Sequence, residues 1–402
     1  MDNRATRRKT AAAAKRKKDR LGRIPGAGSS TTNGRGGASG LPANAPSKST
    51  EAVEKEALVV SHCFDSGEDG EPYSATVRLT GRRVGINRLP GPQDTFVQED
   101  KIDGIVPGSG QYSITSWVYG LDPGDWTVSA ELLRPGSDAG RGRRAAAEPI
   151  PAAAWSWPRW ALAAGSRGPV RTRWAMLTPL ARMPGVIPGS FTALGALGIL
   201  VALIVQSAIL SRESIPLSGS LVVFVVALVS GLLGAKVWYA LLHPGPWRRA
   251  LLGGWAVDGF LVVAPVVAVA VLLAFELPIG LYLDATAPGI FFAVAIGRFG
   301  CFFTGCCAGR CTRSRWGVWS SDRDSRIGAR RIPTQLLESA AGLVIGVVAV
   351  LLVLSDALGV QGAVFVVAVA AYFLVRQRLL RLRAERRDYL WRRSGLLSDE
   401  GM

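Results

Sequence analysis

Gly297-Arg298-Phe299-Gly300-Cys301-Phe302-Phe303-Thr304-Gly305-Cys306-Cys307-Ala308-Gly309-Arg310 closes one apolar run of this chain, and its reading decides the rest. Arg315-Trp316-Gly317-Val318-Trp319 follows, and Arg331-Ile332-Pro333-Thr334-Gln335-Leu336-Leu337-Glu338 opens the next apolar run. An apolar run ending on a glycine-flanked arginine, with a second arginine across a polar loop, reads as two membrane segments sharing a cationic end. A guanidinium grips phosphate oxygens through parallel N–H bonds and keeps its proton even at a membrane interface. The ligand expected there is an anionic lipid headgroup.

Outward from this stretch, apolar runs occupy about 191–210, 220–242, 256–275, 285–303, 336–354 and 358–375. Each approaches the roughly 20 residues that cross a bilayer's hydrocarbon. The fold class predicted is a polytopic α-helical membrane protein of about six transmembrane helices, preceded by a small β-sandwich and a disordered basic tail. The order read along the chain is a tail at 1–56, a β-sandwich at 57–134, a linker at 135–189, a transmembrane domain at 190–376 and a basic C-terminal tail at 377–402.

The first segment carries Arg7, Arg8, Lys9, Lys15, Arg16, Lys17 and Lys18, then a Gly/Ser/Pro-rich run without apolar periodicity. Such composition buries no core. With a net charge of +17 on the whole chain, a basic tail invites a nucleic-acid reading, but beside membrane segments it suits anionic lipid better. No nucleic acid is expected as a partner. No apolar core of a signal peptide follows the basic start, which puts the tail in the cytosol.

Alternation replaces disorder after residue 57. Ala75, Val77 and Leu79 share one parity, as do Trp126, Val128, Ala130 and Leu132, and turns such as Leu89-Pro90-Gly91-Pro92 separate the runs. The last turn and its aromatic strand look like the closing hairpin of a fibronectin- or immunoglobulin-type domain, which implies a binding or spacing module and no activity. Trp155, Trp157, Trp160 and Trp174, interleaved with arginines, read as an interfacial linker on headgroups or as an unstructured one.

Four of the five cysteines, Cys301, Cys306, Cys307 and Cys311, crowd into one stretch, and Cys63 stands alone in the β region. Three readings compete. A metal site wants separated Cys-x-x-Cys pairs or histidines nearby, and only His62 and His243 exist. Disulfides need an oxidising compartment. Small, soft residues packed at a site wall are the default, and neither a metal nor a cofactor is expected.

These motifs resemble the prolipoprotein diacylglyceryl transferases, bacterial plasma-membrane enzymes of lipoprotein biosynthesis that move diacylglycerol from phosphatidylglycerol to a lipobox cysteine thiol. Arg298, Gly300, Phe302, Gly305 and Gly309 match the family signature Gly-Arg-x-Gly-Asn-Phe-x-Asn-Gly-Glu and the glycine after it. Cys301, Thr304 and Cys306 replace its two asparagines and its glutamate. Arg331, Pro333, Gln335, Leu336 and Glu338 match Arg-His-Pro-Ser-Gln-Leu-Tyr-Glu, with Ile332 at the histidine and Thr334 at the serine. Upstream, Gly231 to Tyr239 with Lys236 looks like the family's second helix, and Gly253-Gly254-Trp255-Ala256-Val257-Asp258-Gly259-Phe260 sets Asp258 in place of an essential histidine.

The resemblance implies a multi-pass plasma-membrane protein whose partners are phosphatidylglycerol, prolipoproteins and membrane lipids. Catalysis is expected from Arg298, Arg331 and Asp258, and phospholipid binding from Gly300, Cys301, Gly305, Gly309, Gln335, Glu338 and Lys236. Arginines suit the phosphate on which charge grows, and a thiol nucleophile needs a base. Asp258 reads equally as that base and as the buried partner of Lys236. Glu338 reads as fixing Arg298 or Arg331. Two rival readings are a non-catalytic relative that binds anionic lipid or a partner, and a membrane thiol-redox protein using the cysteines. The arginine-rich loops put both termini and the Arg310–Arg331 loop in the cytosol, whereas the family keeps its signature on the outer side.

Overall fold

The computed structural model describes residues 56–87, 89, 91, 93–134, 147–165, 168–175, 183–213, 215–242 and 256–384; the side chains of 217, 257, 258 and 261 lie outside that description. The basic tail up to residue 55, Arg248 and Arg249, the Gly253-Gly254-Trp255 turn and the tail beyond 384 also lie outside it.

Six long helices follow the β-rich region among the described residues: α1 Ser190–Arg212, α2 Leu217–Leu242, α3 Val257–Ala274, α4 Ile279–Thr304, α5 Thr334–Ser355 and α6 Ala363–Leu380. Five are long and apolar enough to cross a membrane, and α3 contributes a shorter apolar stretch, Val262–Ala274. Their outward residues are apolar, with Leu233, Val344, Leu351 and Leu374 all exposed. A helix satisfies its own backbone, so only such side chains need face hydrocarbon.

α4 is the hub, packing against α1, α5 and α6, while α2 and α3 pack on one another. It starts six residues earlier than the apolar run suggested, because Asp284 interrupts the hydropathy inside the helix. That carboxylate is spent on the neighbouring helix, accepting the Gly362 N–H at 2.6 Å and the Phe365 N–H at 2.9 Å. It therefore satisfies donors at the start of α6 that the helix cannot satisfy itself.

Twelve strands are present among the described residues. They are β1 Glu56–Asp65, β2 Tyr73–Arg83, β3 Thr95–Ile105, β4 Gln111–Tyr119, β5 Asp125–Leu133, β6 Ala147–Ile150, β7 Ala153–Ser156, β8 Ala161–Ala164, β9 Val170–Arg171, β10 Arg173–Trp174, β11 Val318–Asp322 and β12 Ile327–Arg331. One antiparallel sheet runs β10-β1-β4-β12-β11 and a second runs β3-β2-β5-β6 with β9 also on β5. The inward parity read from the sequence holds: Ala75, Val77, Leu79, Trp126, Ala130 and Leu132 are buried in a core shared with Leu58, Tyr112 and Ile114 of the other sheet.

Two features depart from the sequence reading. The stretch taken for a linker holds five short strands, β6 to β10, whose Ala, Arg and Pro content hides the alternation. Its tryptophans also do not all lie free on headgroups. Trp155, Trp157 and Trp160 stack edge-to-face on one another, Trp155 meets Trp319 at 4.7 Å between centroids, and Trp160 stacks on Phe302 at the end of α4 at 5.7 Å. Trp174 is exposed.

The second departure concerns β11 and β12. This hairpin belongs to the loop between α4 and α5, yet β12 pairs with β4 in the register Ile327↔Ile114 and Gly328↔Ser113. The β-rich region and the membrane region therefore share a sheet. Ser190 Oγ lies 2.9 Å from Thr304 Oγ1, which sets the start of α1 beside the end of α4. The starts of α1 and α5, the end of α4 and the β-rich region lie at one end of the bundle.

Candidate functional site: an arginine-rich pocket at the end of α4

Two glycines of the quoted stretch shape the backbone. Gly305 ends α4 in the left-handed region at φ 75°, and a Cβ on it would sit 2.7 Å from the Ser321 carbonyl oxygen. Glycine is the residue such a helix end favours. Gly309 runs so close under the Ile332 carbonyl that any side chain would collide with it. Gly300 faces α1, where a Cβ would stand 3.0 Å from the Phe191 Cα. The turn after α4 is thereby pressed against the start of α5.

That turn is fastened by the first residues of α5. Gln335 Nε2 donates to the Cys306 carbonyl at 2.9 Å, and Thr334 Oγ1 donates to the Cys307 carbonyl at 3.2 Å. Beneath them Glu338, 1% exposed, gathers cations from three directions. Arg298 Nε lies 2.5 Å from its carboxylate, Arg383 Nη2 3.4 Å and Arg376 Nη1 3.8 Å. One carboxylate serves three guanidinium groups, so the cluster carries excess positive charge. Bringing so many cations out of water is costly unless each is paired. An arriving anion would complete the pairing.

Arg331 is held differently. Its Nη1 donates to the Gly309 carbonyl at 3.1 Å and its Nη2 to the Ile327 carbonyl at 3.3 Å, with Asp322 at 3.8 Å. The Nε atoms of Arg331 and Arg383 are buried and have no hydrogen-bond partner among the described residues. Buried donors of this kind are rare and want an acceptor.

The segment after α6 returns to the site. Arg310 N donates to the Leu382 carbonyl at 2.9 Å and Ala384 N to the Ala308 carbonyl at 3.0 Å, a short antiparallel contact that carries Arg383 inward. The sequence reading had placed 377–402 in a tail and counted its arginines only towards topology. Arg383 was missed for that reason; Arg376, at the end of the stretch read as transmembrane, and Tyr372, whose hydroxyl lies 3.5 Å from Arg376 Nη1, were missed as well. The i, i+4 spacing of Tyr372 and Arg376 puts them on one helix face and was the available signal.

The cysteines divide. Cys301, Cys306 and Cys307 crowd together: Cys306 Sγ donates to the Cys301 carbonyl at 3.7 Å, and Arg298 Nη1 lies 3.9 Å from Cys301 Sγ. Cys307 has its pKa lowered, first by the Cys301 and Cys306 thiols that donate to it and then by Arg383 and Arg298 nearby. Cys306 is raised, first by its hydrogen bonds to Cys301 and Cys307. Cys311 instead bridges Arg331 and packs on the β core. Cys63 is buried in β1, and burial raises its pKa. Among the described residues no three His, Cys, Asp or Glu side chains group to hold a metal ion.

The structure therefore gathers Arg298, Gly300, Cys301, Gly305, Gly309, Arg331, Gln335 and Glu338 around one turn. Of the two arginines that Glu338 was expected to fix, it takes Arg298, and Arg331 goes to carbonyls. Thr304, at a family asparagine, accepts the Phe191 N–H at 3.2 Å and so ties α1 to α4. Lys236 lies on α2, which packs on α3, the helix that carries Asp258; the Asp258 side chain is outside the described residues. Residues 189–397 match the sequence profile of the family described as prolipoprotein diacylglyceryl transferase. No curated protein matches the chain. The match spans just over half of the 402 residues and contains every residue gathered at this turn. The chain belongs to the prolipoprotein diacylglyceryl transferase family.

Proposed function

We propose that this protein transfers the diacylglyceryl group of phosphatidylglycerol to the lipobox cysteine thiol of prolipoproteins in the plasma membrane. The observation that carries the reading is the excess of guanidinium groups over carboxylate around Glu338, together with the unpartnered Nε donors of Arg331 and Arg383. A phosphodiester headgroup supplies the missing acceptors. In the transfer, the acceptor sulfur bonds to the glycerol carbon, the carbon–oxygen bond to phosphate breaks, and glycerol phosphate leaves with that electron pair. Negative charge then grows on phosphate oxygens, where Arg298, Arg331 and Arg383 act as fixed counter-charges.

The thiol proton goes to Asp258, which stands at the family histidine's place in the sequence. Gly300, Gly305 and Gly309 let the turn that bounds the lipid site pack against α1, Ser321 and Ile332, and Gln335 and Glu338 hold its backbone and its arginines. Lys236 is assigned to the same lipid from α2. The test is complementation of a bacterium depleted of its own transferase, read as lipoprotein modification. Modification should return with the native chain and disappear with Arg298→Ala or Arg331→Ala. A native chain that inserts and binds phosphatidylglycerol without modifying lipoproteins would replace this reading with that of a non-catalytic relative.

A further inference from the structure

β12 delivers Arg331 to the site and belongs to the region matching the family, but its outer neighbour is β4 of the N-terminal region. Several contacts fix that seam. Thr115 N donates to the Arg326 carbonyl at 3.1 Å, Trp319 Nε1 donates to the Gln111 carbonyl at 3.0 Å, and the Arg326 guanidinium sits 5.0 Å over the Trp117 ring. Arg313 Nη2 donates to the Gly70 carbonyl at 2.6 Å. Gly328 lies so close to Ser113 Oγ and the Trp319 ring that a side chain on it would meet both.

The seam reaches the arginine in one step. Ile327, which pairs with Ile114 across the seam, is the residue whose carbonyl takes Arg331 Nη2 at 3.3 Å. A hairpin of two five-residue strands has little register of its own. Its pairing with a nine-residue strand of a folded core settles it.

We propose that β4 is a positioning element of the arginine site, holding the Arg326–Gly328 backbone so that the Ile327 carbonyl orients the Arg331 guanidinium. The N-terminal region is then a working part of the transferase rather than a spacer. This rests on the reading that Arg331 binds the donor phosphate. Gly328→Val prises the seam open from within, and Trp319→Phe is the milder variant, keeping a ring but losing the N–H to Gln111.

The experiment is a double-variant cycle on the full-length protein, with amide hydrogen exchange as a second readout. Gly328→Val should speed exchange at residues 326–331 and lower kcat/KM for phosphatidylglycerol at least tenfold, Trp319→Phe by less. On the Arg331→Ala background, read on binding of short-chain phosphatidylglycerol, neither should cost anything more, since both act through that guanidinium. Losses that multiply with that of Arg331→Ala, or exchange at 326–331 that Gly328→Val leaves unchanged, overturn the proposal. If Gly328→Val does not fold, Trp319→Phe decides by the same criteria. If the native chain makes no thioether, the transferase reading fails separately, and the cycle is read on binding of short-chain phosphatidylglycerol by calorimetry.

Discussion

The membrane end of α5 and the interior of the β-rich region both bury polar groups, and they do it in opposite ways. At Glu338 the groups are charged, and one carboxylate answers three guanidinium groups. Inside the β core His62 and Ser113 are buried as neutral groups, and neither His62 Nδ1 nor Ser113 Oγ has a partner among the described residues. A paired buried charge costs little while its partner stays and a great deal once the partner goes. An unpartnered neutral group exacts a small, constant cost that its removal refunds. The first arrangement suits a site that must hold still around an anion, and the second is tolerated where apolar packing carries the stability.

Glu338 should therefore give the largest effect. Glu338→Gln keeps the shape but leaves Arg298, Arg376 and Arg383 crowded without a counter-charge. Loss of one partner from a buried pair costs about 3–5 kcal/mol, and here three cations lose it together. Thermal unfolding in detergent should show that loss, and accumulation in the membrane should fall. Adding Arg376→Leu, which removes one stranded cation, should recover part of it. An unchanged transition in Glu338→Gln would mean that the guanidinium groups are solvated, and the contrast between the two regions would disappear.

How much of this was legible beforehand follows from the range of each signal. Arg298, Gly305, Gly309 and Glu338 sit in two short blocks that can be read locally, and the structure sets them side by side. The alternation of Ala75, Val77 and Leu79 is likewise local, and it placed their inward face correctly. The start of α4 was read six residues late because hydropathy sees the Asp284 carboxylate and not the Gly362 and Phe365 N–H groups waiting 78 and 81 positions away. Arg383 was hidden because its route to Glu338 depends on a backbone pairing with Ala308 and Arg310. The β4–β12 seam was illegible for the same reason, since its partners lie more than 200 residues apart and two paired residues leave no periodicity.

A middle-sized effect is expected from His62. Burial holds its pKa down at about 4, against an ordinary value of 6.5. Below pH 6.5 the unfolded chain takes up a proton that the folded one refuses until about pH 4, so protonation favours unfolding and stability falls as pH drops through that window. At about 1.4 kcal/mol per unit of pKa difference, the loss is on the order of 3 kcal/mol. His62→Leu should flatten the pH dependence of the unfolding temperature of the β-rich region between those limits. An equally steep slope in the variant would assign the acid sensitivity to the charged cluster instead, reversing the comparison.

Ser113 should give the smallest effect and the one of opposite sign. The residue is fully buried on β4, opposite Cys63 on one side and Gly328 on the other. Its backbone belongs to both ladders, so the seam with β12 does not depend on the hydroxyl. An unsatisfied buried hydroxyl costs about 1–3 kcal/mol, and Ser113→Ala removes it at the expense of a few van der Waals contacts. The net expected is between no change and about 1 kcal/mol of added stability, read as a small rise in unfolding temperature. Hydrogen exchange at 326–331 and transfer activity should stay as they are, because Ile114, Thr115 and Gly328 keep their backbone positions. If Ser113→Ala instead costs more than about 1 kcal/mol, the hydroxyl has a partner that holds β4 to β12. The β core would then resemble the arginine site in paying for its polar groups with contacts.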